Sequence, residues 1–156
     1  MAIAGGRPHN RRIVAHLMVR DTSRAIEFYQ QAFGAEVLYQ ALLPGGKALH
    51  AHLRIADSVV LVSEEYRGRP GEASAEREAG GAAVLLELYV DDVEAAFERA
   101  KAAGAMEKSA IALDFYGDRY GQLADPFGHV WGLATVQETL TPEEIDHRMT
   151  EHFGLN

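Results

Sequence analysis

His16, His50, His52, Glu64 and Glu87 are the side chains of this sequence best suited to chemistry. A neutral imidazole can hold a metal ion, accept a proton or bind a ligand oxygen, and a carboxylate can take the first two tasks. His50, His52 and Arg54 alternate, so on a strand they line one face, which is either solvated or turned to a ligand. Turned inward, they favour an anionic or oxygen-rich molecule. Glu87 interrupts the apolar run 84–90, where a buried carboxylate needs a partner, water or ligand unless the strand lies at an edge. A second concentration spans 117–135, GDRYGQLADPFGHVWGLAT. In it Arg119 is a clamp for a carboxylate or phosphonate oxygen, or else a salt-bridge partner of Asp118 or Asp125. Tyr120 and Trp131, with Phe115 and Tyr116, either stack on a flat ligand or fill the core, and His129 reads as a turn residue.

These residues need elements to place them. Asp-Pro-Phe-Gly at 125–128 is a turn between two apolar-rich segments, which predicts a hairpin. Upstream, 13–19 reads as a strand, and Asp21 caps a helix with Ile26, Tyr29 and Phe33 on one face, ending at Gly34. Strands follow at 36–42, 49–55 and 58–63. The pattern then repeats at an offset of about seventy residues. A strand at 84–90 leads to a helix carrying Val93, Phe97 and Ala100, opened by a capping-box-like pair Asp91 and Glu94 and closed at Gly104. Three more strands lie near 106–115, 119–124 and around Trp131. Thr141-Pro142-Glu143-Glu144 starts a last helix with Ile145, Met149 and Phe153 on one stripe, which packs on its own sheet or on a partner subunit. The fold class is therefore α+β, two tandem βαβββ modules plus a C-terminal helix. The expected organisation is a flexible arm at 1–12 and a single domain at 13–156, made of module one 13–65, a polar glycine-rich linker 66–81, module two 82–136 and the helix 141–153.

Composition narrows the function classes. With 156 residues, 47% hydrophobic and 24% charged, the chain has the make-up of a soluble globule. No apolar run spans a membrane and no signal-peptide pattern opens the chain, so a cytoplasmic protein is expected. The absence of cysteine removes disulfides, thiolate metal sites and thiol nucleophiles, leaving His, Asp and Glu as metal ligands. A net charge of −8 argues against a nucleic-acid partner. No G-x-S-x-G elbow, P-loop or dinucleotide glycine pattern is present, and His50-Ala51-His52 lacks the helical spacing of a zinc protease motif.

The G-D-R-x-G strand, the D-P-F-G-H turn, the x-W-x-x-A-T strand and the T-P-E-E helix start resemble the PhnB-like branch of the glyoxalase/bleomycin-resistance/dioxygenase proteins, the vicinal-oxygen-chelate superfamily. The likeness also takes in Ala25-Ile26-Glu27-Phe28-Tyr29, Phe33-Gly34-Ala35-Glu36 and the segment 49–58. It implies curled mixed sheets that enclose a pocket, commonly in a homodimer, and in active members a divalent metal held by the first and last strands of the modules. At the positions it implies for metal ligands this chain has Val14, Leu85 and Gly132, none of which binds a metal. The resemblance therefore favours a bleomycin-resistance-like protein, without a cofactor, that binds a small polar or aromatic metabolite or antibiotic through His16, His50, His52, Tyr89, Tyr120 and Trp131. The alternative is a lyase or isomerase acting on a vicinal-oxygen substrate, with Zn, Ni, Mn or Fe on a displaced site of His16, Glu64 and Glu87, and with Glu87 and Arg119 as catalytic candidates. A phosphonate ligand is a third reading.

Overall fold

The computed structural model describes residues 14–64 and 84–154. The arm expected at 1–12 and the linker expected at 66–81 lie outside the described residues. The elements are β1 (Ala15–Val19), α1 (Thr22–Phe33), β2 (Glu36–Leu42), β3 (Ala48–Ile55), β4 (Ser58–Glu64), β5 (Leu85–Tyr89), α2 (Val93–Ala102), β6 (Met106–Leu113), β7 (Asp118–Ala124), β8 (Val130–Val136) and α3 (Pro142–Phe153). They form two compact units, Met1–Gly81 and Ala82–Asn156, each with a four-stranded mixed sheet. This is the α+β fold of two βαβββ repeats and a C-terminal helix that the periodicity predicts.

In the first unit the strand order is β1-β4-β3-β2, with β1 parallel to β4 and the other pairs antiparallel. Asp21 is extended and its side chain accepts from the Arg24 backbone N–H, which satisfies one orphan donor of α1. The helix buries Ala25, Ile26, Phe28, Tyr29 and Ala32 and packs on β3 and β4. Beneath it lie Leu17, Val19, Leu53, Val60 and Val62, all buried. Each large side chain of this set contributes about 1.5–3 kcal/mol of burial. Strand side chains alternate, so residues one step away on each strand stand on the sheet face that the helix does not cover.

In the second unit the order is β5-β8-β7-β6, with β5 at an edge and parallel to β8. α2 covers Leu123, Trp131 and Leu133. Its cap is Asp92, which accepts from the Ala95 N–H at 2.9 Å, and not the predicted Asp91. The one-residue shift puts Glu94 at the second helical position, one short of the place from which a carboxylate reaches back to the cap. α3 has the predicted capping box: Glu144 accepts from the Thr141 N–H at 2.8 Å, and the Thr141 hydroxyl accepts from the Glu144 N–H at 3.3 Å. Among the described residues it does not pack broadly on a strand of its unit, the first of the two seats expected for it. Its described contacts are with connecting segments: Arg148 pairs with Glu138 at 2.5 Å, and the His152 ring centroid lies 5.5 Å from that of Phe115.

Candidate ligand-binding site

The pairing register assembles the first polar group. His16 stands level with Leu61, Leu61 with His52 and His52 with Tyr39, forming one row across the helix-free face. The next row is Met18, Ser63, His50 and Ala41. Two imidazoles thus meet one hydroxyl: Ser63 Oγ is 2.8 Å from His16 Nε2 and 2.6 Å from His50 Nδ1. His50 Nε2 is in turn 2.8 Å from His52 Nε2. The Tyr39 ring lies 5.2 Å from the His52 ring, centroid to centroid. His16 is exposed, His50 and Ser63 are half-buried, and His52 is only 3% exposed. The alternation of His50 and His52 is therefore not a solvated stripe. Arg54 shares their face but is exposed and ion-paired to Glu36.

Burial holds the imidazoles of His50 and His52 below the ordinary 6.5, and the charges of neighbouring histidines lower them further. Both are consequently neutral near pH 7, with one N–H and one lone pair each. Among the described residues the buried Nδ1 of His52 has no hydrogen-bond partner. Such an atom is costly to bury unless something reaches it.

The second unit carries a different set on its helix-free face. Glu87, Gly132 and Gln122 form one row, and Tyr89, Ala134 and Tyr120 the next. Gln122 Nε2 donates to the Tyr120 hydroxyl at 3.0 Å, and the Tyr89 hydroxyl donates to Asp118 Oδ2 at 2.9 Å. That bond, with burial and nearby carboxylates, pushes the Tyr89 phenol up to about 12. Burial raises Tyr120 too, and its interaction with Glu87 adds to the rise. Glu87 is exposed on an edge strand, so the desolvation cost expected of it does not arise.

Several predicted site residues stand elsewhere. Trp131 is buried on the helix side, where its Nε1 donates to Asp125 Oδ2 at 3.1 Å, so it is core and not a stacking platform. Arg119 also turns to the helix side and pairs with Glu94, its Nε donating at 2.8 Å, and not with Asp118 or Asp125. Glu64 is level with Val19 and shares the buried parity of Val60 and Val62. It pairs with Lys47 at 2.5 Å on the face opposite His16. His129 is more than a turn residue: it is buried and donates from Nδ1 to Asp125 Oδ2 at 3.2 Å. Sequence reasoning missed Ser63 and Tyr39, whose place beside the histidines follows only from register.

The residues do not fit the metal that the resemblance associates with active members. Val14 and Leu85 offer no donor atom. Gly132 is overlain by Tyr120, whose ring and hydroxyl would stand 2.6 Å from a Cβ built there, so the place of a ligating side chain is filled. The displaced set fails as well, because Glu64 leaves the His16 face. Among the described residues no group of three or more His, Asp or Glu is disposed around a cation.

A profile described as the Glyoxalase/Bleomycin resistance protein/Dioxygenase superfamily matches residues 12–133. An uncharacterized protein of Mycobacterium bovis is 39% identical over 136 residues, covering 86% of this chain and 90% of that protein. Among solved structures, a gene product from Arabidopsis thaliana aligns with a TM-score of 0.65 at 30% identity, over 80% of this chain and 98% of its own. TioX from Micromonospora sp. ML1 aligns with a TM-score of 0.63 at 26% identity, over 81% of this chain and 99% of its own.

Proposed function

Because the chain belongs to the glyoxalase/bleomycin resistance protein/dioxygenase superfamily, we propose that it binds a small oxygen-bearing molecule on the helix-free face of its first sheet, against His52, His50, Ser63 and Tyr39. The carrying observation is the buried Nδ1 of His52, which no atom of the described residues satisfies. A ligand oxygen placed there gains one hydrogen bond and removes the cost of an orphaned polar atom. Tyr39, at 42% exposure, offers its ring face to a flat ligand. Neutral imidazoles suit carboxylate, phosphonate, enol or phenol oxygens alike, so the ligand class is set by the oxygen and not by a fixed charge. The lack of donor atoms at Val14 and Leu85 and the filled place at Gly132 support binding or proton transfer over Lewis-acid chemistry.

Isothermal titration of the full chain with benzoate, phenol and methylphosphonate tests this reading. At least one compound should bind, and His52→Phe, which keeps an aromatic ring of similar size, should weaken it about tenfold or more, the worth of one hydrogen bond to a buried group. Equal affinities in the two proteins would reject the site.

A further inference from the structure

Burial keeps His50 and His52 neutral, so a fixed charge for a ligand must come from their neighbours on the same face. Along β3 that neighbour is Arg54, level with Val59 on β4 and with Glu36 on β2. Among the described residues its guanidinium meets one group, the Glu36 carboxylate, to which Nη2 donates. A guanidinium carries five N–H donors, more than one such contact uses. Both side chains of the pair are exposed, Arg54 at 43% and Glu36 at 56%. An exposed pair of this kind contributes little to stability, so Arg54 can share or exchange Glu36 for a second anion without unsettling the sheet. The ring of His52 fixes where that anion stands. Its Nε2 faces His50 at 2.8 Å, toward the preceding alternate position of β3. The two nitrogens of an imidazole point nearly opposite ways in the ring plane. Nδ1 is therefore turned toward the Arg54 end of the strand, with the Tyr39 ring centroid 5.2 Å from that of His52. Alternate strand positions lie about 6.7 Å apart, close to the span between the two polar ends of a para-substituted benzene ring.

We propose that Arg54 selects the ligand of this face, and that the ligand is a flat acid with a neutral oxygen at one end and a carboxylate or phosphonate at the other. The neutral oxygen meets His52 Nδ1, the ring lies against Tyr39, and the anionic end takes guanidinium N–H groups that Glu36 leaves. Para-hydroxybenzoate is a small member of this class. Phenol fills only the neutral end, and its ring presents nothing to Arg54. Glu36 competes with the anion for the same guanidinium, so it weakens the binding of acids and has no such effect on phenol. The neutral end of this ligand rests on the proposed ligand site, whereas the Arg54 end is separable from it by mutation.

The test is isothermal titration of the full chain with 4-hydroxybenzoate and phenol near pH 8, where the hydroxyl keeps its proton and the carboxylate is charged. 4-Hydroxybenzoate should bind about tenfold or more tighter than phenol, and the difference should shrink as salt is added. Arg54→Gln should abolish the difference and leave the affinity for phenol unchanged. Glu36→Gln should raise the affinity for 4-hydroxybenzoate about threefold or more, because the guanidinium then has no competing carboxylate. Both substitutions are at exposed positions, and circular dichroism confirms that the variants are folded. Equal affinities for the two compounds, or a difference that survives Arg54→Gln, overturn the assignment of Arg54. If phenol still binds and is weakened in His52→Phe, the ligand site stands while Arg54 falls. If the affinity for 4-hydroxybenzoate depends on Arg54 but is the same in His52→Phe, Arg54 remains an anion clamp and the ligand site at His52 falls. Failure of both compounds to bind rejects the two together.

Discussion

His50 and His52 have a folded-state affinity for protons lower than that of free imidazole, mainly through burial. The unfolded chain therefore binds more protons than the folded one as pH falls below the ordinary 6.5, so stability is full above that value and declines below it. Urea midpoints followed by circular dichroism should fall between pH 7 and pH 5, with a visibly smaller decline in His52→Phe. Equal slopes would mean that His52 is not held neutral. The sequence showed which imidazoles were candidates, because alternation places His50 and His52 on one face whatever the fold. It did not show that Ser63 joins them. That depends on β4 being level with β3 by a register that no local pattern records.

The hairpin of β7 and β8 was legible down to its turn, since Asp-Pro-Phe-Gly states its own geometry and Gly128 takes φ 91° as a tight turn demands. What the turn residues do was less legible. Asp125 is buried and its Oδ1 accepts from the N–H groups of Phe127 and His129, both at 2.9 Å, while Oδ2 takes Trp131 Nε1 and His129 Nδ1. One carboxylate thus ties the turn to the core under α2, and it withdraws Trp131 from any ligand. Loss of hydrogen bonds to a buried charged group makes Asp125→Ala costly by roughly 3 kcal/mol, and Trp131→Phe by roughly 1–2 kcal/mol. Chemical unfolding followed by fluorescence of Trp131, the only tryptophan, measures the first, and circular dichroism the second. A cost under about 0.5 kcal/mol for Asp125→Ala would remove the carboxylate from this role. The displaced cap of α2 has the same lesson: Asp91 and Asp92 are adjacent, and only the strand before them decides which one is left extended.

At the scale of the molecule, one repeated plan yields two sheets whose helix-covered faces are alike and whose open faces are not. The first presents neutral imidazoles and a hydroxyl, the second phenols, an amide and carboxylates. Internal periodicity revealed the repeat because the apolar face of each helix and strand is a local property. The difference between open faces lies in single residues, such as Gly132 beneath Tyr120, and a repeat pattern does not report it. Backbone chemical-shift mapping with benzoate, phenol and methylphosphonate asks most directly whether the first open face is the binding site. Saturable shifts should centre on His16, Tyr39, His50, His52 and Ser63 and need about tenfold more ligand to saturate in His52→Phe. Saturable shifts confined to Glu87, Tyr89, Tyr120 and Gln122, or shifts that saturate at the same concentration in His52→Phe, would place binding elsewhere and contradict the assignment.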